Sequence, residues 1–149
     1  MKGSNEMKLI LPLLVILTAV IGSIANININ ADGWYEELVK SPLNPPGYVF
    51  GIVWPILYLL MGIVSFFAAE KIWKLFIIQL ALNAAWSWIF FYYQLPIIAL
   101  LDIALLMLVN AMILSNLKSF SRALFLIYLP YMLWLCFAAF LNVSIIYLN

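Results

Sequence analysis

Seven basic and six acidic side chains punctuate this chain so that apolar runs of membrane-crossing length lie between them. The runs cover residues 9–27, 48–69, 72–93, 96–117 and 123–148, and the only sizeable connection is the loop 28–47. A helix needs about 20 mostly apolar residues to cross the hydrocarbon core, so each run is a candidate span. Composition agrees: 68% of the residues are hydrophobic and 9% charged, whereas a soluble domain carries roughly 25% charged residues. A water-facing surface cannot be built from that stock. The chain therefore reads as an all-α integral membrane protein, a five-transmembrane-helix bundle with no soluble domain. The period-two alternation of a β-barrel is absent, and a net charge of +1 leaves no basic footprint for a nucleic acid.

The same residues narrow the chemistry and set the orientation. The chain has no histidine, the commonest general base and metal ligand. Its single cysteine, Cys136, allows no internal disulfide and no thiolate metal cluster. No acid–base pair, nucleophile–base pair or metal site is evident. Lys2, Lys8, Lys71, Lys74, Lys118 and Arg122 fall on one face of a five-span topology and Lys40 alone on the other. The positive-inside rule then puts the N-terminus in the cytoplasm and the loop 28–47 and the C-terminus outside. Lys2, Lys8 and the first run, ending in Ser23-Ile24-Ala25, also fit a signal peptide. The length of that run, closed by Asn26 and Asn28, favours a retained span. Gln94-Leu95-Pro96 is a turn signal, because proline cannot continue the preceding helix.

Polar and aromatic residues recur at helical spacing inside the runs. Thr18, Gly22 and Asn26 form a small-residue stripe that suits a packing seam or a cavity wall. Phe50, Trp54, Tyr58 and Met61 share a face of the second run, where Trp54 fits an interfacial belt as well as a pocket wall. Pro55 removes a backbone donor beside it. The third run offers Asn83, Trp86, Ser87 and Phe90, and an amide as deep as Asn83 must bond a neighbouring helix or a ligand. Tyr131, Trp134, Ala138 and Asn142 make the fifth stripe, aromatic, then small, then polar. Asp102 is the lone acidic residue well inside a run and shares a face with Asn110; such a residue is functional by default, or else capped or bonded between helices. Together the stripes favour an interior aromatic cavity over independent packing. The outside connection begins as a short amphipathic helix with Trp34, Leu38 and Ser41 on one side. Pro45-Pro46 then forces an extended entry to the next span, so the loop suits a lid.

Four ordered strings carry a family resemblance: Trp34-Tyr35-x-x-Leu38-x-Lys40; Pro45-Pro46-x-x-Val49-Phe50-x-x-x-Trp54-x-x-x-Tyr58-x-x-Met61-Gly62; Gln79-x-x-x-Asn83-x-x-Trp86-Ser87-x-x-Phe90-Phe91; and Pro130-Tyr131-x-x-Trp134-x-x-Phe137-Ala138-x-x-Leu141-Asn142. In this order, across nearly the whole chain, they resemble the TspO/MBR family, the tryptophan-rich sensory proteins that include the translocator proteins. The resemblance implies a single membrane domain over 1–149, a bacterial-type cell-membrane location, a homodimer, and a pocket reached from the first-loop side. Family members bind tetrapyrroles such as protoporphyrin IX. The resemblance thus implies a receptor or sensor whose ligand site is drawn from Trp34, Trp54, Tyr58, Asn83, Trp86, Tyr131, Trp134 and Ala138.

On this expectation the porphyrin is a ligand, there is no other cofactor and no metal, and the ligand's carboxylates stay at the wet mouth. Without histidine, iron would lack its usual axial ligand, so metal-free porphyrin should bind at least as well as haem. Light-dependent porphyrin breakdown, proposed for some family members, would use Trp54 and Trp134, and porphyrin transport is a further alternative drawing on Asp102, Asn110 and Asn83. A scaffold or sensor whose partner is another protein is the fourth reading. Two departures from the pattern stand out. Ser41 and Leu43 replace a usual proline and aromatic, which predicts a looser lid. No basic residue follows Tyr147, which argues against sterol binding through the C-terminal motif of animal members.

Overall fold

Apolar runs poor in glycine stay helical until something in the backbone stops them, and here the stops are few. The computed structural model describes residues 2–149, without the side chains of Lys2, Ser4 and residues 28–32. Lys2, part of the charge asymmetry, and Asn28, at the end of the first run, lie outside the described side chains. Helix α1 runs Lys2–Asp32 and stops at Gly33, whose φ of 73° is left-handed. A single turn, α2, covers Trp34–Glu37, and prolines 42, 45 and 46 keep the chain non-helical, with one turn at residues 42–43, as far as the next helix. Helix α3 spans Gly47–Ser87 and passes into a π-helical turn, Trp88–Tyr92. After Gln94 at φ 55°, α4 covers Pro96–Phe120, with proline in the first turn where its missing N–H costs nothing. Ser121 then caps α5, Arg122–Leu148, its Oγ accepting the Leu124 N–H at 3.4 Å.

Among the described residues, four helices are long and apolar enough to cross a membrane: α1, α3 with its π turn, α4 and α5. The sequence suggested five separate spans, with a break at Glu70 and Lys71. The structure corrects the break, because helical backbone runs through both residues. The segment Ala68-Ala69-Glu70-Lys71 consists of good helix formers and has neither glycine nor proline to interrupt it.

Yet α3 is not a straight rod. Tyr58 and Asn83 are 25 residues apart, which is about 37 Å along a straight helix. The Tyr58 hydroxyl nevertheless donates to Asn83 Oδ1 at 2.9 Å. Gln79 Nε2 likewise reaches Met61 Sδ at 3.6 Å. Both pairs centre on the Glu70–Lys71 peptide, so the chain doubles back there into two limbs. The charged residues mark the reversal even though no loop does.

The elements then pack in a definite order: α1 lies against α3 and the π turn, α4 against α3, and α5 against α4 and α3. The reversal and the α4–α5 junction share one end, where Lys71 lies over the Phe120 ring at 5.8 Å. The connection 33–46, the turn at 93–95 and the C-terminus share the other, where Val39 meets Asn149. The outward surface is apolar, with Leu13, Ile56, Leu105 and Leu133 exposed, as a face against lipid requires.

Inside, polar groups hold the limbs together. Asn83 Nδ2 donates to the Tyr131 hydroxyl at 2.8 Å, and that hydroxyl donates to Gln79 Oε1 at 2.8 Å. With Tyr58 on Asn83, both limbs of α3 and helix α5 are tied through one amide. The Tyr128 hydroxyl donates to Asn110 Oδ1 and ties α5 to α4. Asn83 thus spends its whole amide within the bundle interior, while Asn110 gives its oxygen to α5 and its Nδ2 to the Leu106 carbonyl of its own helix at 2.8 Å. Asp102 is buried on α4, and its Oδ2 has no hydrogen-bond partner among the described residues.

Replacing Asn83 with leucine takes the acceptor from the Tyr58 hydroxyl and a donor from the Tyr131 hydroxyl, which keeps only Gln79, and should cost about 1–3 kcal/mol. Tyr58→Phe should cost less than half as much. The double variant should fall no more than about 0.5 kcal/mol below Asn83→Leu alone, because the Tyr58 hydroxyl has by then lost its acceptor. Detergent-titrated unfolding followed by circular dichroism measures all three; additive losses would separate Tyr58 from the network.

Candidate ligand cavity under the first connection

Between α1, the two limbs of α3, and α5 lies a cavity of about 580 Å³, within the roughly 300–1,000 Å³ of small-molecule sites. Small residues open it. On α1, Ala19, Gly22 and Ser23 border it, and a Cβ added to Gly22 would lie 3.6 Å from Ser87 Oγ and 3.8 Å from the Tyr58 hydroxyl oxygen. On α5, Ala138 leaves room beyond Trp134. On α3, Gly51 and Pro55 both reach the wall, and Pro55 deprives the Gly51 carbonyl of its helical donor.

Aromatic rings close the sides. Trp134 meets Phe50 edge-on with centroids 5.7 Å apart, and meets Trp54 at 6.4 Å with the planes 86° apart. Trp54 leans on Tyr58 at 5.5 Å. On the opposite side Trp86 stacks on Phe90 at 5.1 Å. Its Nε1 donates to Asn142 Oδ1 at 3.2 Å, while Asn142 Nδ2 donates to the Pro96 carbonyl at 2.8 Å. That pair of bonds holds the Trp86 ring to α5 and to the start of α4. Among the described residues the Trp134 indole nitrogen is buried with no hydrogen-bond partner.

The connection covers one end. Trp34 packs edge-on against Phe90 at 5.7 Å and Tyr35 against Phe91 at 5.5 Å. The π turn carries both phenylalanines and closes with the Tyr93 N–H on the Trp88 carbonyl at 2.9 Å. Tyr35 donates to Asn44 Oδ1 at 3.5 Å. Burial pushes the Tyr35 phenol above its ordinary range, the Asn44 bond works against this, and the Glu36 charge adds to it. It therefore stays a neutral donor at physiological pH. Asn149 grips Val39 by both edges of its amide: Oδ1 accepts the Val39 N–H at 3.0 Å and Nδ2 donates to the Val39 carbonyl at 3.0 Å.

The wall takes Trp54, Tyr58, Trp86, Trp134 and Ala138 from the expected residues. Trp34, Asn83 and Tyr131 are not on it. Trp34 packs on Phe90, while Asn83 and Tyr131 are buried behind Tyr58 in the interhelical network. The expected amphipathic helix through Ser41 is also shorter than its pattern, because the backbone is extended from Leu38. Ser41 makes a turn instead: its Oγ accepts the Leu43 N–H at 3.2 Å and its carbonyl accepts the Asn44 N–H at 2.9 Å. Phe50, Phe90 and Asn142, which the stripes carry one helical turn from Trp54, Trp86 and Ala138, join the wall as well. Glu36 and Asn44 come from the connection, off the Trp34, Leu38 and Ser41 side that its spacing marked.

Asn149→Ala removes both bonds to Val39. Hydrogen exchange at the Val39 amide should speed up by about fivefold or more, roughly the worth of one net hydrogen bond. Exchange in the middle of α4 serves as the control and should not change; equal acceleration in both would mean a general loss of stability.

Residues 10–148 match the TspO/MBR family model. The Tryptophan-rich protein TspO of Chlorobaculum tepidum is 37% identical over 128 residues, covering 80% of this chain and 81% of that protein. The protein of the same name from Archaeoglobus fulgidus is 33% identical over 152 residues, covering 97% and 99%. The Translocator protein of Bos taurus is 34% identical over 127 residues, covering 73% and 70%. With apolar helices around an aromatic cavity and a match over nearly its whole length, the chain belongs to the TspO/MBR family.

Proposed function

We propose that this integral membrane protein is a receptor or sensor that holds a flat apolar tetrapyrrole in the cavity beneath the first connection. The observation that carries the reading is the cavity itself: about 580 Å³, aromatic on both sides, small at Gly22 and Ala138, and covered by a docked connection. A macrocycle entering it meets ring edges and faces, each good aromatic contact adding about 0.5–1.5 kcal/mol beyond area. The buried indole N–H of Trp134 offers such a ligand a donor that no described residue uses. Family resemblance supports the tetrapyrrole class over other flat molecules.

The reading includes five spans, the two limbs of α3 each crossing once. It places the N-terminus in the cytoplasm and the connection outside, and takes the protein as a homodimer. The charge asymmetry supports the orientation. The reversal at Glu70–Lys71 supports the span count.

A second reading, light-dependent oxidation of the bound macrocycle, draws support from the edge-on pair Trp54 and Trp134 on one wall. A new absorbing product in light but not in darkness, lost in the double Trp→Phe variant, would establish it.

The binding reading predicts quenching of tryptophan fluorescence by protoporphyrin IX. Trp54→Phe and Trp134→Phe should each weaken binding by about two- to twelvefold. Ala138→Phe should block it by filling the slot, and Trp34→Phe should change it less than twofold because that ring is off the wall. Unchanged affinity in Trp54→Phe, Trp134→Phe and Ala138→Phe would move the ligand elsewhere. Metal-free porphyrin should bind at least as tightly as haem, which finds no histidine here.

A further inference from the structure

We propose that the mouth of this cavity sorts ligands by charge: it takes flat macrocycles whose carboxylates are masked or absent, and Glu36 is the group that disfavours dicarboxylates. The inference rests on the tetrapyrrole reading and names the ligand class within it. A flat ligand places its apolar face between the aromatic walls and its polar substituents toward the wet end. That end is lined by Asn26, Tyr35, Glu36 and Asn44, and Glu36 is the lone ionised side chain along the described lining.

Three of the donors at that end are engaged within the protein, while the Asn26 amide beside them meets no partner among the described residues. The Tyr35 hydroxyl donates to Asn44 Oδ1, Asn44 Nδ2 to the Pro45 carbonyl, and the Ser23 hydroxyl to the Val20 carbonyl. Lys40 is the cation of the connection, and it is not on the cavity wall. Its ammonium is held by the carbonyls of Glu36 at 3.4 Å and Leu38 at 3.3 Å, and lies 4.6 Å from the centre of the Tyr35 ring. The other described cations belong to the end of the bundle where the chain reverses and α4 meets α5. The loop 28–47 itself carries Asp32, Glu36 and Glu37 against Lys40. A ligand dicarboxylate at this mouth therefore meets a like charge with no cation paired to it. The repulsion across several ångströms of partly wet space is worth about three- to tenfold in affinity at moderate salt.

The test titrates protoporphyrin IX and its dimethyl ester into the full chain, wild type and Glu36→Gln, in the same nanodiscs. Partition of each porphyrin into lipid cancels in the ratio of wild type to variant. Glu36→Gln should tighten the diacid about threefold or more and leave the ester within about twofold, and Glu36→Lys should tighten the diacid further. Raising salt from about 0.05 to 0.5 M should tighten the diacid on wild type alone. Equal changes for both ligands, or weaker diacid binding in Glu36→Gln, would overturn the proposal. So would a tenfold loss of diacid affinity in Lys40→Gln, which would make Lys40 the carboxylate's grip. If both porphyrins bind and Glu36→Gln is silent, the charge rule alone fails. If neither binds to wild type, the tetrapyrrole reading fails and the charge rule goes with it.

Discussion

One amide organises the interior. Asn83 accepts from Tyr58 and donates to Tyr131, so a single side chain holds both limbs of α3 and helix α5 in register. In lipid the helices gain nothing from excluding water against one another, and an unpaired amide is expensive. The only low-energy place for Asn83 is therefore the one where both hydroxyls reach it. That requirement folds α3 back at Glu70–Lys71, and the fold-back in turn puts Trp54 and Trp86 in the same bundle, facing one cavity. The network lies behind the wall and is sealed, with Asn83 and Tyr131 buried. It reaches the wall only through Tyr58.

This division explains what can be read from residue order alone. The apolar runs, the small stripe through Gly22 and the aromatic stripes around Trp54, Trp86 and Trp134 repeat at helical spacing, so their faces are legible. Whether a buried polar residue faces a ligand or a neighbour is not, because the cost of burial is the same until a partner is named. Asn83 and Tyr131 lie on the stripes of Trp86 and Trp134 but point their polar atoms at each other. The continuous helix at Glu70–Lys71 escapes residue order for a related reason. Charge marks where a chain leaves the hydrocarbon, but alanine, glutamate and lysine remain helix formers there, so the polypeptide turns without a loop.

The connection obeys different rules, since its helical period ends after one turn. Its docking comes from pairs distant in sequence: Trp34 with Phe90, Tyr35 with Phe91, and Val39 with Asn149. The π turn at Trp88–Tyr92 matters here, because its wider hydrogen-bonded ring rotates Phe90 and Phe91 relative to a continued α-helix. Phe90 stacks on Trp86 of the wall and also receives Trp34 of the connection. Cover and wall are thus packed on the same ring. Ser41, in place of the family's usual proline, turns the chain with its own hydroxyl rather than with a fixed φ.

These two regimes meet at the mouth, and their meeting decides what enters. The walls are built from groups that lipid-facing helices supply freely: rings, small residues, and amides paired among themselves. Such walls attract any flat apolar molecule and discriminate poorly, since stacking is tolerant of substituents. Discrimination must come from the wet end, where charge is permitted, and there the chain supplies its own segment. On that segment Glu36 borders the cavity, while the nearby ammonium is folded onto carbonyls and a ring. A site with apolar selectivity within and anionic selectivity at its rim favours molecules that arrive through membrane rather than through water, since a molecule without free carboxylates partitions into the bilayer.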